Sequence, residues 1–190
     1  MLHNNEDINN YVKENFAQYD VKSILEFIGE NVDREGLKDT PKRYIKFLQE
    51  FLNPQKFEMT SFNSEGMNEM VIVKDIQFYS LCEHHLAPFF GIASIAYIPN
   101  GRIVGISKLP RLVDHYSRRL QNQERITSQV AEHLMDATNA IGVAVVLNAR
   151  HMCMEMRGIK ASGANTTTSK MLGVFSTDVN ARQEFLNLIK

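Results

Sequence analysis

The apolar residues change period near Glu69, and that switch limits the chain to a fold in which helices come first and a sheet follows. Ahead of it, Ile8, Val12 and Phe16, then Val21, Ile24, Leu25 and Ile28, recur at spacings of three and four, so two amphipathic helices are expected. A third is expected after Lys38-Asp39-Thr40-Pro41, where Asp39 or Thr40 can cap and Pro41 suits the first turn, with Tyr44, Phe47, Leu48 and Phe51 on one side. Asn53-Pro54 ends it, and the stretch from Gln55 to Asn68 reads as a connector. Beyond Glu69, Met70 to Phe78 and Phe89 to Ile98, the latter ahead of the Pro99-Asn100-Gly101 turn, favour extended chain and predict a hairpin. Two helices follow, over Lys108 to Arg119 and Glu124 to Ile141, the second expected to stop at Gly142. Val143 to Met154 is β-rich, a Gly/Ser/Thr segment runs from Gly158 to Ser169, and a short strand from Met171 to Phe175 precedes a last helix capped by Thr177 or Asp178. The order is α+β, with an N-terminal helical region over 1–55 and a second domain over 56–190.

Charge and length exclude several functions. The 190 residues suffice for one core with a helical arm, and a net charge of -1 gives no global field toward nucleic acid or an anionic membrane. No apolar run reaches the roughly 18 to 20 residues a bilayer needs, and Met1 to Asp20 is too polar for a secretory signal, so the expected compartment is the cytoplasm.

The only cysteines, Cys82 and Cys153, each have a histidine within three residues. In Cys82-Glu83-His84-His85 one tight turn can present a thiolate and an imidazole to a tetrahedral ion. His151-Met152-Cys153 falls in a β-pattern, which puts residues 151 and 153 on one face. Packing cysteines, a single disulfide and a closed structural zinc site are the competing readings. The surplus of imidazoles favours an open site: two cysteines with His84, His85 and His151 offer five groups for at most four places, leaving histidine for proton transfer. A metal that lowers the pKa of water from about 15.7 toward 7 makes hydrolysis the natural reaction class. Ser107, Lys108 and Arg111 begin a helix whose amino terminus favours an anion, and Arg157 adds a cation just past Cys153, although each could belong to a solvated face. Glu124, behind Gln123, can accept two donors side by side, as the ring N–H and exocyclic amine of guanine offer. No glycine-rich phosphate loop is present, and His3, His115 and His133 read as surface or packing residues.

Read in order, Asp39-Thr40-Pro41-Lys42-Arg43, Ser80-Leu81-Cys82-Glu83-His84-His85, Gly105 to Arg111, Gln121-Asn122-Gln123-Glu124-Arg125, His151-Met152-Cys153 and Arg157-Gly158 resemble the GTP cyclohydrolase I family over nearly the whole chain after about residue 20. The resemblance implies a tunnelling fold: an antiparallel sheet with helices on one side, joined between subunits into a barrel, in a toroidal homodecamer with interfacial active sites. It further implies a catalytic domain over 56–190, zinc held by Cys82, His85 and Cys153, and proton transfer by His84 and His151. Glu124 with Gln123 alongside would hold guanine, Ser107 would face the ribose or the opening ring, and Lys108, Arg111 and Arg157 the triphosphate. Arg43 and Lys46 match triphosphate contacts from a neighbouring subunit. The implied reaction converts GTP and water to formate and 7,8-dihydroneopterin triphosphate, on the folate or tetrahydropterin route. Two alternatives are a relative acting on another purine or pterin and a non-catalytic purine- or pterin-binding protein stabilised by zinc.

Overall fold

The computed structural model describes residues 21–190; the helix expected around Ile8 to Phe16 lies outside them. The chain divides between Asn53 and Pro54 into two compact units. In the first, helix α1 (Val21–Phe27) and helix α2 (Thr40–Phe51) follow the expected apolar spacing. Pro41 lies in the first turn of α2, while Asp39 makes no capping bond and pairs with Arg43 instead. Tyr44, Phe47 and Phe51 place their rings 6.1 and 5.7 Å apart along one side of α2, which buries none of its residues.

The second unit is built on a five-stranded sheet. Its strands are β2 (Val71–Cys82), β3 (Pro88–Ile98), β5 (Leu120–Gln121), β6 (Gly142–His151) and β7 (Thr166–Gly173), in the order β5-β2-β3-β6-β7. All neighbours run antiparallel except β5, which lies parallel to the end of β2. Alternation along the strands sends Phe78, Ile95, Tyr97, Val143, Val145 and Leu147 to one face, where α3 (Lys108–Ser117) and α4 (Gln123–Thr138) cover them with Leu109, Leu112, Ile126, Val130 and Leu134. These helix residues are fully buried, and each contributes on the order of 2 kcal/mol of burial.

The opposite face is not bare. Ala96 and Ala144 leave room there for Phe175 and Phe185, delivered by the short helix α6 (Val174–Thr177) and by α7 (Val179–Leu188). The two long helices of this unit thus share one side as expected, and the C-terminal helix adds a second small core across the sheet. Asp178 caps α7, accepting from the amide of Asn180.

Three local expectations are corrected. The chain after Gly101 forms β4 (Arg102–Val104), which pairs with β1 (Ser61–Asn63) inside the supposed connector, while β2 and β3 form the expected hairpin. The Thr-rich segment is the start of β7, because Thr166, Thr167 and Thr168 pair with Ala149, Asn148 and Leu147, so β-branched residues outweigh the loop-like composition. Helix α4 ends at Asn139, which adopts the left-handed conformation, and Gly142 opens β6 where a side chain would collide with Val174 and Phe175. Among the described residues no helix is long and apolar enough to cross a membrane.

Backbone approaches closely at Gly91, where a Cβ would overlap the carbonyl oxygen of Asn148 and lie 2.6 Å from the Cα of Ala149. Gly91→Ala should separate β3 from β6 and destabilise the protein by about 3 kcal/mol, read as a lowered thermal midpoint. An unchanged midpoint would show that the strand pair absorbs a methyl group there.

Candidate metal centre and active site

The metal half-sites meet because two turns close at the same end of the sheet. Cys82 is the last residue of β2 and is buried. Its amide donates to Ala87 O at 2.8 Å and its carbonyl accepts from the amides of His85 and Leu86, with Leu86 in the left-handed region as the chain turns back into β3. This turn brings Nδ1 of His84 and Nδ1 of His85 to 3.8 and 3.7 Å from Cys82 Sγ.

The other half differs from the expected strand. Strand β6 stops at His151, and Cys153 sits on a single helical turn, α5 (Met152–Glu155). Residues 151 and 153 are therefore separated by a change of backbone conformation, and the α5 turn carries Cys153 toward Cys82 while His151 stays in the sheet. Ligand atoms of Cys82, His85 and Cys153 all lie within 4.8 Å of one another. Tetrahedral zinc with sulfur ligands near 2.3 Å and nitrogen near 2.0 Å needs ligand separations of about 3.5–3.8 Å, so the group fits after a small contraction, and two thiols with one imidazole leave a fourth corner open. Burial pushes the Cys153 thiol up in pKa, Cys82 beside it adds to the effect, and Arg157 opposes it. A bound cation would reverse that balance by favouring the thiolates.

His151 is held from two sides. Its register partner Phe89 stacks on the ring at 4.6 Å with planes 5° apart, and its Nε2 lies 2.8 Å from Oε1 of Gln123. Burial lowers its pKa, and the Glu124 carboxylate works against that. Gln123 is itself buried, with Nε2 turned to Leu147 O, Thr166 O and Thr168 Oγ1. The amide of Gln123, expected alongside guanine, is thus turned toward β6 and β7 within the chain. Glu124, one residue on, is exposed and enters no ion pair with a described group.

Ser107 precedes α3 without capping it, and Lys108 and Arg111 on that helix make no ion pair with a described side chain. Arg157 is exposed just past α5, near enough to Cys153 to act on its thiol. Arg43 and Lys46 belong to the first unit, where each pairs one turn away with Asp39 and Glu50.

Sequence reasoning gave no role to Glu83, Asn122 or Arg125. Glu83, inside the metal turn, takes a two-pronged contact from Arg125 at 2.6 and 3.0 Å and a bond from Asn122 Nδ2. Asn122 also caps α4, accepting from the Arg125 amide at 2.8 Å, and the Glu83 amide donates to Gln121 O. The metal turn is thereby tied to the start of the helix that carries Gln123 and Glu124. The capping signal at Asn122 is readable in the sequence; the pairing of Glu83 with Arg125 across the chain is not.

A soft sulfur and nitrogen donor group at one end of an antiparallel α+β sheet, beside a half-buried imidazole and an unpaired carboxylate, is the arrangement of a metal-dependent hydrolase of the tunnelling fold. The sequence model of GTP cyclohydrolase I matches residues 17–190, and the chain belongs to the GTP cyclohydrolase I family. It is similar to GTP cyclohydrolase 1 of Campylobacter jejuni, with 51% identity covering 89% of this chain and 92% of that one. The enzyme of the same name from Coxiella burnetii is 51% identical over 90% of this chain and 95% of its own, and that of Geobacillus kaustophilus 53% over 93% and 97%.

Because the Glu83–Arg125 clamp orients the turn bearing His85, Arg125→Ala should weaken metal binding by roughly 10-fold with the fold intact, measured by competition with a chromogenic chelator. Unchanged affinity would mean that the turn holds its shape without the clamp.

Proposed function

We propose that this chain hydrolyses GTP to formate and 7,8-dihydroneopterin triphosphate, the entry step to folate or tetrahydropterin synthesis, using zinc held by Cys82, His85 and Cys153. The observation that carries the reading is the convergence of those three ligand atoms within 4.8 Å beside a His151 whose ring is already engaged by Gln123 and Phe89. Among the described residues His151 stays in the sheet and is not one of those whose ligand atoms converge, which favours the open site over the closed one.

When bound, zinc supplies a strongly acidified water for attack on the purine C8. The protein's own groups do the rest. Glu124 accepts the guanine ring N–H and exocyclic amine, an arrangement supported by its lack of a competing cation. Lys108, Arg111 and Arg157 take the triphosphate, and Ser107 the ribose or the opening ring. His84 and His151 move protons to and from the ring nitrogens and the sugar as the imidazole ring opens, C8 leaves as formate, and the ribose rearranges to a ketone that condenses with the freed amine, losing water, to close the pterin; the oxidation and reduction within the sugar cancel, so no redox cofactor is called for. The exposed position of His84 suits exchange with solvent, and the stacked, half-buried position of His151 suits a fixed donor or acceptor.

In this proposal Arg43 and Lys46 reach the triphosphate of a neighbouring subunit, in a toroidal decamer whose sites lie between subunits. The exposed rings of Tyr44 and Phe47 on α2, and the outer edges of β7 and of β2 ahead of its pairing with β5, are consistent with such assembly. The cytoplasm, where the two cysteines stay reduced and free for metal, is the proposed compartment.

Purified protein carrying one zinc per chain should release formate from GTP and generate pterin fluorescence after oxidation, and a chelator should abolish both. Zinc-loaded protein that leaves GTP untouched would refute the proposal. His151→Ala should keep its zinc, as measured by elemental analysis, while turnover falls by roughly 100-fold or more. Full turnover in that variant would remove His151 from proton transfer.

A further inference from the structure

The hydrogen-bond network around Gln123 determines which nitrogen of His151 carries a proton. Two of the acceptors facing the amide nitrogen, Leu147 O at 3.1 Å and Thr166 O at 2.9 Å, are backbone carbonyls and can only accept. The NH₂ end of the Gln123 amide must face them, so its carbonyl end must face His151. That oxygen can only accept as well, and at 2.8 Å from Nε2 it requires a proton on Nε2.

The hydroxyls around the amide agree with this assignment. Thr127 Oγ1 lies 2.7 Å from Gln123 O, a carbonyl, so Thr127 spends its one proton there. Thr127 must then accept from Thr168 at 2.6 Å, which leaves the lone pairs of Thr168 Oγ1 for Gln123 Nε2 at 3.1 Å. Each hydroxyl proton has one placement, the two amide protons are shared among three acceptors, and reversing the amide would set NH₂ against the imidazole and its oxygen against two carbonyls. The site is almost sealed from solvent, Gln123 being 1% and Thr127 2% exposed, so water cannot repair such a reversal.

We propose that Gln123 is a positioning residue that fixes His151 as the Nε2–H tautomer and leaves Nδ1 as the one ring atom through which His151 exchanges protons. The proposal rests on the reading of His151 as a proton-transfer residue. Among the described residues no hydrogen bond reaches Nδ1, while stacking on Phe89 stops the ring from flipping to exchange its two nitrogens. A proton taken from substrate or water enters at Nδ1 and leaves from it, and Nε2 keeps its own throughout. The imidazolium formed in between is stabilised because its bond to Gln123 Oε1 becomes charge-assisted. Gln123 thus acts on the reaction through another residue, from inside the core formed by α4, β6 and β7.

Neutron diffraction from deuterium-exchanged crystals of the zinc-loaded protein, at about pH 8 and so above the ordinary histidine range, reads the tautomer directly. Deuterium is expected on Nε2 of His151 and not on Nδ1; density on Nδ1 would overturn the proposal. Gln123→Met keeps the length of the side chain and removes both polar ends. It should lower kcat roughly 10- to 100-fold while KM for GTP changes by less than about threefold. A raised KM with unchanged kcat would place the amide on the substrate instead and refute the positioning role. If Gln123→Met fails to fold, the neutron result on the unsubstituted protein still decides. Full turnover in His151→Ala would remove the proton-transfer reading on which the role of Nδ1 depends, while the neutron map separately judges the tautomer.

Discussion

The ten-residue ladder between β3 and β6 is the constraint on which the site depends. Its register pairs Phe89 with His151 at one end and Ile98 with Gly142 at the other. A slip of one residue would turn Val143, Val145 and Leu147 out of the core under α3 and α4, so burial holds the register with the force of the whole core. The same register sets the His151 ring on Phe89, fixes where β6 must stop, and so determines where the α5 turn delivers Cys153. Cys82 enters from the turn that joins β2 to β3, which makes the metal group a consequence of three adjacent strands ending together.

Electrostatics divides the charged residues near the site into two sets. Glu83 with Arg125 and Arg150 with Glu155 are closed pairs; in each the carboxyl is held below its usual pKa by its guanidinium partner, and each pair braces a turn. Glu124, Lys108 and Arg111 enter no such pair with a described group. A paired charge has already spent its hydrogen-bonding capacity, whereas an unpaired one keeps it for a polar, anionic ligand. The pairs themselves add little net stability, because both guanidiniums are open to water; they hold shape.

Much of this was legible in the sequence. A histidine close to each cysteine indicated one metal group, the family resemblance implied Cys82, His85 and Cys153 for it, the period switch indicated an α+β order, and both long helices of the second unit lie where their apolar residues put them. The misreadings share a cause, which is that local pattern was outweighed by a tertiary partner. Thr166 to Thr168 looked like a loop but serve as a strand because β6 offers them a ladder, and Thr168 then enters the Gln123 network. Cys153 looked like a strand residue because Val143 to His151 is one, and nothing in the sequence marks the turn at Met152. The pairing of Glu83 with Arg125 could not be read at all, since a single sequence carries no record of which distant charges meet.

The start of α4 shows why consecutive residues there have unrelated duties. At about 100° per residue, four successive side chains point in four directions around the helix. Asn122 turns back to cap the helix and hold Glu83, Gln123 faces inward to His151, Glu124 faces solvent, and Arg125 returns to the metal turn. One rigid helical turn therefore connects the metal turn, the oriented imidazole and the unpaired carboxylate, and their spacing is fixed by backbone geometry rather than by flexible loops. A substitution that frayed this turn would disturb all three together. For that reason the buried anchors Ile126, Thr127 and Val130, one turn further along, matter to the chemistry as much as to the core.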